Sequence, residues 1–72
     1  MEDRKVTIKD QKFGKKLQKV RKSVGITQEK LADATRLSTT FIGLLEIGQR
    51  RPSLKTLQKI ASALKVDIKD LF

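Results

Sequence analysis

The chain has 72 residues, with 17 Lys and Arg against 8 Asp and Glu, for a net charge of +9. This length makes one small domain with a limited core, which self-association would help to stabilise. Cys and His are absent, which excludes disulfides, thiolate metal sites and the commonest general base.

Residues 1–9 are polar apart from an alternation at Val6, Thr7 and Ile8, and they are expected to form a flexible N-terminal arm. They contain no apolar signal-peptide core, and no apolar run in the chain approaches the ~20 residues of a membrane span. A cytoplasmic home without membrane attachment is therefore expected. Helix 1 is predicted over residues 10–24, with Phe13, Leu17, Val20 and Val24 as its apolar stripe and Gly25 as its stop. Lys12, Lys15, Lys16, Lys19 and Lys22 form a second stripe, either a solvated face or a source of long-range attraction to an anion.

Thr27 is a good cap for helix 2, residues 27–35, whose Leu31 and Ala32 face inward. Ser38 caps helix 3, which runs to about Ile47 with Ile42 and Leu45 inward and Gly48 beyond it. Pro52 blocks any continuation, and Ser53 caps helix 4, with Leu54, Leu57, Ile60, Ala61 and Leu64 as a clear stripe. Asp67 caps a last short helix containing Ile68, Leu71 and Phe72. The fold class is all-α: five helices with short connections, forming a domain over residues 10–72.

The basic charge is uneven. Residues 1–24 hold nine basic and three acidic side chains, residues 25–48 two and three, and residues 49–72 six and two. A near-neutral middle is thus flanked by positive charge, and phosphate or an acidic membrane surface is the kind of partner such charge attracts. The middle consists of two short helices with a tight turn between them, a helix-turn-helix pattern.

The stretch "GITQEKLADATRLSTTFIGLLEIGQRRPSLKTLQKIASALKV" resembles the Cro/repressor-type helix-turn-helix family, the xenobiotic-response-element-like regulators of bacteria and phages. The resemblance rests on Gln28, the Leu31 and Ala32 pair, Ile42, Leu45, Glu46, Gly48, and Pro52 to Leu54 with Leu57, Ile60, Ala61 and Leu64. It covers about residues 12–72. A chain of this length also looks like the controller proteins of restriction-modification systems. The resemblance implies a five-helix domain that puts helix 3 in the major groove of double-stranded DNA and binds as a homodimer. It implies that Gln28, beside the Thr27 cap, holds a phosphate. Thr39, Thr40, Gly43 and Leu44 would face the bases behind the Ser38 cap, and Gln49, Arg50 and Arg51 would meet backbone phosphate.

With Ile42 turned to the core, a helical wheel independently turns Thr40, Gly43, Leu44 and Ile47 outward. Several family members join helix 1 to helix 3 by an ion pair at the positions of Arg21 and Glu46. These residues flank the two apolar stripes, and a carboxylate near a helix C-terminus wants a cation. Ile68, Leu71 and Phe72 are candidates for the dimer contact, or for packing within one subunit. The scattered acidic residues suit no metal, and no cofactor, small-molecule ligand or enzymatic activity is expected. The competing function is a DNA-binding antitoxin or a protein-interaction module that uses the apolar face of helix 3.

Overall fold

Side-chain hydroxyls start three of the four α-helices in the computed structural model, which describes residues 8–72. Thr27 Oγ1 accepts the Lys30 N–H at 3.0 Å to open α2, Gln28–Thr35. Ser38 Oγ accepts the Phe41 N–H at 2.9 Å to open α3, Thr39–Glu46. Ser53 Oγ accepts the Thr56 N–H at 3.1 Å to open α4, Leu54–Leu64. Each bond satisfies one of the N–H groups a helix leaves over, for ~1 kcal/mol. The first helix, α1, is Ile8–Val24. It starts two residues earlier than expected and takes Ile8 and Lys9 out of the arm. The remaining arm, with Arg4 and Lys5, lies outside the described residues.

The helix ends divide into two kinds. Gly25 (φ +89°) ends α1 and Gly48 (φ +81°) follows α3. By contrast, α2 and α4 end on left-handed residues that are not glycine, Arg36 (φ 60°) and Lys65 (φ 59°). In each, the next N–H reaches back five residues, Leu37 to Ala32 at 2.9 Å and Val66 to Ala61 at 3.0 Å. Leu37 and Val66 then pack on the core. Their burial offsets a left-handed conformation that costs roughly 1–2 kcal/mol.

The fifth helix is instead a 3₁₀ turn, Ile68–Leu71. Four residues close only short-range bonds here, Asp70 N–H to Asp67 C=O at 2.9 Å and Phe72 N–H to Lys69 C=O at 3.3 Å. The architecture is therefore four α-helices and a 3₁₀ turn, with no strand among the described residues.

The core joins Phe13 and Leu17 of α1, Leu31 and Ala32 of α2, Ile42 and Leu45 of α3, Ile60, Ala61 and Leu64 of α4, and Leu71. Burying each of the larger side chains is worth about 1.5–3 kcal/mol. Val24, expected in the stripe of α1, is 44% exposed. The tightest contact is where α1 crosses the C-terminal end of α3. A Cβ on Gly14 would lie 2.4 Å from the Glu46 carbonyl oxygen and 2.5 Å from that of Leu45, so the crossing depends on glycine. No helix among the described residues is long and apolar enough to cross a membrane.

Candidate nucleic-acid interface

The position of α3 is set by its buried edge. Glu46, 4% exposed, sits on the last turn and receives donors from two other helices. Arg21 of α1 donates Nε to Oε2 at 2.5 Å and Nη2 to Oε1 at 3.2 Å, while its Nη1 donates to the Ile26 carbonyl at 2.8 Å. Gln28 of α2 donates Nε2 to Oε1 at 2.9 Å, and Gln18 of α1 donates Nε2 to the same oxygen at 3.3 Å. The carboxylate thus ties α1, α2 and α3 together, as a buried charge requires. Among the described residues no buried side-chain nitrogen or oxygen lacks a partner.

The opposite side of α3 is open. Thr39 and Thr40 are exposed at its start, Gly43 and Leu44 are half-buried, and Ile47 is 61% exposed. The Thr27 and Ser38 hydroxyls accept cap bonds and keep their O–H hydrogens free to donate. Gln28 stands beside this face: a Cβ on Gly43 would lie 3.9 Å from both Gln28 side-chain heteroatoms. One amide hydrogen of Gln28 goes to Glu46, leaving the second for an outside acceptor. Its carbonyl cannot face the carboxylate without repulsion, so Glu46 also fixes which way the amide points.

Beyond α3, Gln49 and Arg50 are exposed. Arg51 is exposed too, but it is already engaged. Its Nε donates to Asp10 Oδ1 at 3.1 Å and its Nη2 to Oδ2 at 3.2 Å. The hydrogen bond to Asp10 and the carboxylate charge raise its pKa. On the near edge of α1, Gln11, Lys15 and Gln18 share a depression with Glu46 and Ile47. At the other end of the molecule Phe72 is 67% exposed, its ring 5.2 Å from that of Phe13. Leu71 is fully buried in the subunit's own core and Ile68 is packed against it. Of the three dimer candidates, Phe72 is therefore the one that leaves a large apolar surface outside.

Sequence reasoning brought Arg21 and Glu46 together but missed Gln18, Gly14 and Asp10. A glycine inside a helical pattern was the one available signal, since it costs ~1 kcal/mol relative to Ala and usually has a packing reason.

A helix-turn-helix family model matches residues 17–71. The chain belongs to the helix-turn-helix family. This helix-turn-helix chain is 43% identical over 60 residues to the control protein C.BamHI of Bacillus amyloliquefaciens, covering 82% of this chain and 74% of that protein. It is 41% identical over 54 residues, 75% of its length, to the SPbeta prophage-derived HTH-type transcriptional regulator YonR of Bacillus subtilis. The match spans 50% of that regulator. The restriction-modification controller protein C.AhdI from Aeromonas hydrophila has the same fold. Its TM-score is 0.89 at 36% identity, covering 92% of this chain and 100% of that one.

Proposed function

We propose that this DNA-binding transcriptional regulator seats α3 in the major groove of double-stranded DNA and works as a cytoplasmic homodimer. The observation that carries the reading is the placement of α3. Its inner edge is held by Glu46 and Gly14, and its outer side stands clear, between Gln28 on one flank and Gln49, Arg50 and Arg51 on the other.

Thr27, Gln28 and Arg50 position the helix on phosphate. Thr39 and Thr40, behind the Ser38 cap, offer hydroxyls, Leu44 offers methyl groups, and Gly43 lets the backbone approach. None of these makes the bidentate guanine or adenine pairs that dominate major-groove recognition, so α3 reads thymine methyls and shape. Phe72, with the recess formed by Lys9, Lys12 and Phe13, is the apolar surface a two-fold copy would cover.

A gel shift on mixed-sequence duplex over a salt series tests DNA binding: log K should fall linearly with log[salt]. Footprinting on a fragment selected from random DNA should show a near-palindrome with half-sites ~34 Å apart. One monomer on an asymmetric site would refute the dimer. The exposure of Ile47 favours a second reading, in which a protein covers this face. Absence of salt-dependent DNA binding would select it.

A further inference from the structure

We propose that Arg51 is a positioning residue: Asp10 clamps its guanidinium, and the clamp holds the loop between α3 and α4 so that Arg50 meets the phosphate. The proposal rests on the DNA-binding reading above. The loop is pinned to the start of α1 at two points. At the first, Gly48 lies so close that an added Cβ would sit 3.0 Å from Gln11 Cα. At the second, Arg51 makes a two-pronged bond to the Asp10 carboxylate, whose side chain is 7% exposed. Between the pins, Gln49 and Arg50 are exposed, and no side-chain bond of either is seen among the described residues. Pro52 follows and restricts the backbone of Arg51 as well as its own.

Charge separates the two arginines further. The Arg51 charge is matched at contact distance by Asp10, so the pair as a whole neutralises little phosphate charge and displaces few of the cations condensed on DNA. The Arg50 charge has no such match among the described residues. The salt dependence of binding counts released counterions, with a slope of about 0.9 per neutralised phosphate. Arg50 should therefore appear in the slope directly, and Arg51 only through Arg50. Arg51 spends two of its five N–H donors on the Asp10 carboxylate, and a phosphate approaching the remaining donors would also meet the charge of that carboxylate.

The test uses the full chain and one duplex selected by it from random DNA, over a salt series, well below the melting temperature of each variant. Arg50→Ala should lower the slope by about one unit. Arg51→Ala, Arg51→Lys and Asp10→Asn should lower it by at most that same unit, because each frees the loop that holds Arg50, and Arg50→Ala/Arg51→Ala should lower it no further than Arg50→Ala alone. Each should weaken binding, by roughly tenfold for a coupled contact pair, and the Asp10→Asn/Arg51→Ala double variant should be no weaker than either single one. Arg51→Lys keeps the charge and loses the fork, so it decides the matter even where Asp10→Asn does not fold. Three results would overturn the clamp: Arg51→Lys binding like the parent, Arg50→Ala/Arg51→Ala lowering the slope by about two units, as two independent phosphate contacts would, or Asp10→Asn tightening binding. The last would mean that Asp10 only competes with phosphate for Arg51. A parent protein that binds no duplex overturns the DNA reading and the clamp together, a failure distinct from the other three.

Discussion

Gly14 and Gly43 both sit inside helices, and the same extra methyl group would have opposite consequences at the two sites. At Gly14 it would run into the backbone of α3, 2.4 Å from the Glu46 carbonyl. At Gly43 it would meet nothing closer than the Gln28 side chain at 3.9 Å. The first glycine lets two helices close on each other. The second leaves bare backbone on the outer side of α3. The inner edge of that helix is over-determined by packing and charge, and the outer side is kept nearly empty, as a surface that approaches another molecule must be.

The largest effect should come from breaking the inner edge electrically. Arg21→Ala leaves the Glu46 carboxylate, with a side chain 1% exposed, without its charged partner. Removing one member of a buried pair costs about 3–5 kcal/mol. Gln18 and Gln28 still donate to the carboxylate, which places the expectation near ~3 kcal/mol. Chemical denaturation measures it. Arg21→Ala/Glu46→Ala should recover part of the loss, and a coupling near zero would mean the network does not hold α3.

Next comes Gly14→Ala. Overpacking of this kind costs about 1–3 kcal/mol, because backbone must move rather than a flexible side chain. A higher helix propensity returns up to ~1 kcal/mol. A net loss of about 2 kcal/mol in denaturant unfolding is expected, whereas unchanged stability would show that the crossing has slack. Gly43→Ala reverses the sign. With no clash, the propensity term stands alone and the fold should gain about 0.8–1 kcal/mol. Binding to the selected duplex should weaken, because the new methyl group holds the helix off. A variant that is both more stable and equally tight in binding would remove the functional reason for this glycine.

The caps and glycine stops were legible because each depends on a few adjacent residues. Ser38 with Phe41, Ser53 with Thr56, and Pro52 before the last long helix are local chemistry. The left-handed Arg36 and Lys65 were not legible, since the cause lies one residue further on, where Leu37 and Val66 find the core. The pair of Asp10 and Arg51 joins residues 41 apart, and neither sits on a periodic stripe that would point to the other. The phosphate role of Gln28 is implied by the family resemblance. Its bond to Glu46 depends on how α2 and α3 pack, which periodicity does not specify. The 3₁₀ turn was overread as a helix because a cap and apolar spacing look alike in both.

The smallest effect tests what the empty side of α3 reads. Its side chains are Thr39, Thr40, Leu44 and Ile47, which present methyl groups and two hydroxyls. A thymine differs from uracil in duplex DNA by one methyl group, with base pairing kept. If Leu44 packs on that methyl, each contact is worth about 0.8 kcal/mol, by analogy with one buried methylene. Uracil substitution should then weaken binding a few-fold per contacted site. Leu44→Ala should abolish most of that sensitivity while leaving the salt slope unchanged, because no phosphate contact is lost. Equal affinity for uracil and thymine duplexes would refute methyl readout. It would also return Leu44 and Ile47 to the reading in which a protein surface, rather than a groove, covers the outer side of α3.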